Sequence, residues 1–115
     1  MLRRGNWSAT SRCRCRLLVI STSSRAFGAT PAGGVSRLAL SQEEIAARAE
    51  LVRWAREIGL LPAVDPVSNL FLRLEGTQPN LPPLLLGSHI DSQPTGGKFD
   101  GAYGVIAALE AVEAI

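Results

Sequence analysis

The chain is poor in the residue types that most often build active sites and covalent frameworks. It has one histidine, one tyrosine, one lysine and two cysteines in 115 residues. The cysteines, Cys13 and Cys15, are separated by a single residue. That pair cannot close a four-ligand zinc site without nearby partners, and it offers no disulfide framework. Long hydrophobic runs are also missing. None approaches the roughly 18 apolar residues of a membrane span, so no membrane partner is expected. The run Leu17 to Ile20 falls short of the roughly 7–15 apolar residues of a secretory signal. Acids are absent from the first 26 residues, which hold six arginines: Arg3, Arg4, Arg12, Arg14, Arg16 and Arg25. The remainder holds ten acids against five arginines and Lys98. The net charge of +2 is therefore +6 in the leader and −4 beyond it. A basic surface for nucleic acid is not expected outside the leader.

These deficits divide the chain in two. Residues 1–26 read as a basic, Ser/Arg-rich, disordered leader. It is either a mitochondrial transit peptide or a non-native start ahead of the true domain. Residues 27–115 read as one partial domain, for which the cytoplasm is the expected compartment and the mitochondrion the alternative. Hydrophobic residues make up 46% and charged residues 19%, which suits a buried core.

Within the domain, Ser41-Gln42-Glu43-Glu44 is a capping box that opens a helix. Ala47, Leu51, Trp54, Ala55 and Ile58 recur at helical spacing, and Gly59 and Pro62 end the pattern. A short strand is expected over Val64–Val67, a longer one over Asn69–Leu74, and a third at Leu84-Leu85-Leu86, covered on both faces. A second helix is expected from Gly101 to Ile115. Val105, Ile106, Leu109, Val112 and Ile115 would be its buried side, with Glu110 and Glu113 outside. Helix, strand, strand, strand, helix suggests an α/β layered sheet, whose sites lie at the carboxyl ends of strands.

The chemistry concentrates between Leu84 and Val105. Imidazole and carboxylate both suit Zn2+, so His89 and Asp100 are candidate ligands. Asp91 is placed to accept the free ring N–H of His89 and fix its tautomer. Each residue also has a plainer reading. His89 can be a hydrogen-bonded core residue, Asp100 the N-cap of the second helix, and Asp91 the start of an Asx turn. Gly96-Gly97-Lys98 precedes a helix but is no phosphate-binding loop. Phe99 stands where the P-loop needs Ser or Thr, and Ser92 where it needs Gly.

The stretch Gly87-Ser88-His89-Ile90-Asp91, followed by Gly96-Gly97-Lys98-Phe99-Asp100-Gly101, closely resembles the first metal motif of the amidase, hydantoinase and carbamoylase family. These zinc-dependent hydrolases, related to aminoacylase- and carboxypeptidase-type metallopeptidases, include N-carbamoyl-L-amino-acid hydrolases, beta-ureidopropionases and allantoate amidohydrolases. The likeness reaches back through Phe27–Ser41 and covers about residues 27–115. It implies the N-terminal part of a three-layer zinc-peptidase-like α/β catalytic domain, without the smaller lid and dimerisation domain that makes relatives homodimeric. It implies His89 as ligand of one metal and Asp100 as the bridge between two. Asp91 would orient His89, and Gly96, Gly97 and Gly101 would let the loop pass close to the metals. Two Zn2+ ions would occupy a complete site, with Mn2+, Co2+ or Ni2+ as alternatives. A metal-bound water would attack the carbonyl of a small carbamoyl or ureido substrate, a glutamate acting as base. That glutamate, a paired glutamate ligand and the remaining histidines have no counterpart here. The chain alone is expected to bind zinc weakly and turn over nothing. A non-catalytic fragment or pseudoenzyme piece is the alternative.

Overall fold

The computed structural model describes Arg16, Ile20 and residues 27–115. Cys13 and Cys15, the other leader arginines and the expected disorder of the leader lie outside the described residues.

Helix α1 spans Gln42–Glu57. Its capping box forms with a variation. The Ser41 hydroxyl accepts from the Glu44 amide at 3.3 Å, but the Glu44 carboxylate reaches the Leu40 amide (3.3 Å) rather than that of Ser41. The Ser41 amide instead donates to the Leu38 carbonyl. Glu44 is buried and its charge is met by Arg48 one turn on. Ala47, Leu51, Trp54 and Ala55 are the buried stripe. Gly59, at φ +84°, takes the left-handed conformation that follows a helix end.

Strands β1, Leu61–Val64, and β2, Leu70–Arg73, pair antiparallel with Leu61 opposite Arg73 and Val64 opposite Leu70. The first strand therefore lies earlier than the expected Val64–Val67. The cause is Asp65, whose carboxylate accepts from the amides of Val67 and Asn69 and from the Asn69 side chain. Those bonds consume Val67 in the turn. The two-stranded hairpin packs against α1.

The third strand is not formed. Leu84, Leu85 and Leu86 are outside any sheet, with Leu84 87% and Leu85 78% exposed. An apolar run becomes a covered strand only where another strand offers a ladder and another layer offers a face. Among the described residues the sheet is the β1–β2 pair alone, and this segment joins neither outer edge of it. The sheet is thus smaller than the layered one expected, and the observed order is helix, strand, strand, helix.

Helix α2 spans Ala102–Glu113 and buries Ala102, Ile106 and Leu109, with Val105 and Val112 partly covered. Ile115 is exposed, against expectation. Glu110 and Glu113 do not simply face outward. Both accept from Arg16, at 2.8 and 2.7 Å, and Arg16 lies over the Trp54 ring at 5.7 Å from its centroid. The core joins α1, Leu60, Ile90 and α2, and Ile20 is part of it.

Candidate functional site

Segment 28–37 is the floor on which the candidate loop rests. Gly28 and Ser36 are joined by an amide-to-carbonyl bond of 2.7 Å, and Val35 donates to the Gly96 carbonyl at 3.0 Å. Four residues before Gly96, Ser92 is gripped from three sides. Its amide donates to the Arg37 carbonyl (2.6 Å), while its hydroxyl accepts from the Arg37 amide (2.9 Å) and donates toward Val35. Ser92 is buried for this reason, although nothing in its own neighbourhood in sequence is apolar except Ile90.

Arg37 is the buried polar centre of this arrangement, 1% exposed. Its Nε donates to the Ile90 carbonyl at 2.7 Å, and one terminal nitrogen donates to the carbonyls of Ile20 (2.9 Å) and Phe27 (2.8 Å). A buried charge persists only when hydrogen-bonded or paired. Burial pulls the guanidinium pKa below its ordinary value, while the negative charges of Glu44 and Asp91 push it back up.

His89 lies on the outer side of this loop, with its side chain 51% exposed. That removes the reading of His89 as a core residue. Its Nδ1 is 3.1 Å from the Asp91 carbonyl and 3.3 Å from the Asp91 carboxylate. Both oxygens are acceptors, so in the neutral ring Nδ1 carries the proton and the Nε2 lone pair is left to a ligand. The contact expected between Asp91 and His89 is present, and the main chain of Asp91 contributes to it as well.

The start of α2 is pressed against this histidine. Gly101, at φ +66°, is the N-cap and makes no side-chain cap bond, so Asp100 is not the N-cap. A Cβ on Gly101 would fall 2.5 Å from His89 Nδ1 and into the His89 carbonyl oxygen. Only glycine fits there, on both conformational and steric grounds. Asp100 is the residue that adjoins this contact and is itself exposed. The other two loop glycines differ. A Cβ on Gly96 would meet the Gln93 carbonyl oxygen at 3.1 Å, whereas Gly97 has open space around it.

The donor set suits a divalent metal in part. One imidazole with an oriented tautomer and the exposed carboxylate of Asp100, the residue before Gly101, are zinc-type donors. Among the described residues no group of three or more His, Cys, Asp or Glu is gathered in one place. No helix among them is long and apolar enough to cross a membrane. Arg37 was not among the residues singled out by spacing. Its only sequence signal is an arginine between Val35 and Leu38 with no acid within five residues on either side.

No family model matches the chain. Individual proteins do. The chain is 50% identical over 89 residues to the N-carbamoyl-L-amino-acid amidohydrolase of Pseudomonas sp. (strain NS671), which covers 77% of this chain and 22% of that protein. It is 42% identical over 87 residues to the allantoate amidohydrolase of Bacillus subtilis (strain 168), covering 76% and 21%. A crystal structure of a hydantoinase/carbamoylase family amidase from Burkholderia ambifaria matches with a TM-score of 0.83 at 45% identity, over 90% of this chain and 24% of that one. The chain thus spans about a fifth of the length of the curated relatives it matches. Sequence and backbone agree over the shared stretch, and over that stretch the chain belongs to the hydantoinase/carbamoylase amidases.

Proposed function

We propose that this chain carries part of the metal centre of a hydrolase that cleaves the non-peptide C–N bond of linear amides of the N-carbamoyl-amino-acid or ureido type. The observation that carries the reading is the His89 ring. Its Nδ1 faces two Asp91 oxygens, and on this half-exposed side chain the other ring nitrogen has no partner among the described residues. In this reading His89 and Asp100 would hold the metal centre, and Asp91 would keep the imidazole in the tautomer that can ligate. Gly101 lets the helix that follows Asp100 start against the histidine. The surrounding architecture is the three-layer zinc-peptidase-like α/β domain, with the two helices and hairpin seen here as one portion. Zn2+ is the metal of choice, with Mn2+, Co2+ or Ni2+ as alternatives. When bound, the metal supplies Lewis-acid polarisation of the carbamoyl carbonyl and an activated water. The names of the relatives, which span carbamoyl-amino acids and allantoate, support the substrate class.

Two candidate ligands, with no cluster of three or more such residues among the described residues, make a weak site. The 115-residue chain is expected to bind Zn2+ weakly and to hydrolyse no N-carbamoyl-amino acid. Calorimetric titration with Zn2+, on the chain and on His89→Ala, tests the first point. Heat that is the same in both rules out His89 as a ligand. An assay for released ammonia tests the second, and turnover abolished by chelation would show that the chain holds more of the site than these residues.

A further inference from the structure

The candidate ligands are exposed, yet the loop that carries them is held from beneath by a single buried cation. Ile90, between His89 and Asp91, turns its carbonyl inward to Arg37 Nε at 2.7 Å. The neighbouring carbonyls on the same guanidinium come from Ile20 and Phe27, far away in sequence. Ser92 then fixes the next residue of the loop to the Arg37 main chain through both its amide and its hydroxyl. A planar guanidinium with donors in a fixed fork can serve several carbonyls at set angles, which a lysine ammonium cannot.

We propose that Arg37 is a positioning residue for the candidate metal centre: by holding the Ile90 carbonyl inward, it sets the His89–Asp91 turn so that Nδ1 is occupied by Asp91 and Nε2 is presented outward. The inference rests on the metal-site reading for its purpose, but the geometry it describes exists without metal. Main-chain orientation is the link. With the Ile90 carbonyl pinned, the His89 and Asp91 side chains that flank it meet, with Nδ1 3.3 Å from the Asp91 carboxylate. Release of that carbonyl frees the peptide plane and lets the two side chains part.

The single histidine makes this measurable. In the metal-free chain labelled with 15N only at histidine, His89 is the sole source of ring signals. At a pH where the ring is neutral, the wild type is expected to show an excess of the Nδ1–H tautomer, although free imidazole side chains favour Nε2–H. Arg37→Met is expected to lose that excess. Leu51→Ala, which cuts the core on α1, is expected to lower the melting midpoint to a similar degree and keep the excess. Should Arg37→Met not fold, Arg37→Lys decides, with at least a twofold fall in the tautomer ratio expected. Three results overturn the inference: no Nδ1–H excess in the wild type, an unchanged excess in a folded Arg37 variant, or an equal loss in Leu51→Ala. A wild type that shows the excess but gives the same Zn2+ titration as His89→Ala would defeat the metal-site reading and leave the role of Arg37 in the turn standing.

Discussion

Two faces of this molecule follow different rules. On one, segments 28–37 and 88–102 meet through buried polar bonds, and nearly every contact joins residues more than fifty apart in sequence. On the other, the hairpin and the segment after it fold by near-neighbour chemistry and leave Leu61, Val64, Val67, Leu81, Leu84 and Leu85 exposed. The first face is over-determined around His89. The second has its shape but not its cover. Apolar exposure of that extent is unusual on a solitary soluble domain and marks surface that favours association.

The contrast can be broken most severely at Gly101. Gly101→Val adds a side chain where φ is +66° and where the His89 carbonyl and ring already stand. Left-handed strain and overpacking together are expected to cost about 4 kcal/mol. Chemical denaturation checks this, and a loss below about 1 kcal/mol would mean that helix α2 can slide away from the histidine. Leu51→Ala comes next, at about 3 kcal/mol from lost burial and the cavity left behind. It tests whether α1 anchors both faces, and a shift confined to the hairpin amides in hydrogen exchange would show that it does not. On the other face, the double change Leu84→Ser and Leu85→Ser is expected to alter stability by less than about 0.5 kcal/mol. Light scattering should show less association at the same concentration. A large loss of stability would mean that these leucines pack in solution.

The smallest effect concerns acid. Hydrogen bonds from Asn69 and Val67 hold the Asp65 carboxyl below its ordinary value of 3.8. A carboxylate with a lowered folded pKa stabilises fully above its unfolded value and loses that contribution as pH falls through the lowered one. The Asn69 amide signal is therefore expected to stay constant down to about pH 4 and to move only below it. A midpoint above 3.8 would contradict the turn as drawn.

Legibility follows the same division. Helix α1 could be read because its cap, stripe and terminating glycine all lie within about 20 residues, the range over which periodicity speaks. Helix α2 could be read from Ile106 and Leu109, though its cap could not. Asp100 has the right chemistry for a cap, and only the approach of the His89 backbone reveals why glycine takes the position. The leucine run at 84–86 has the composition of a covered strand, but cover is supplied by partners that a local window does not contain. His89 and Asp91 could be paired from their spacing of two. Arg37 left only the faint signal of an arginine far from any acid, since its three acceptors are main-chain carbonyls, and a carbonyl has no signature in the sequence.

One of those carbonyls reaches further than the site. Ile20 contributes a core side chain and, through its main chain, an oxygen to the same guanidinium that holds Ile90. The boundary drawn from charge, ahead of Phe27, therefore passes between two acceptors of one arginine. A protein trimmed there would retain His89, Asp91 and Asp100 intact on paper. It would also have surrendered part of the foundation beneath them, so a domain edge chosen by composition alone would yield a misleading test of what these residues can do.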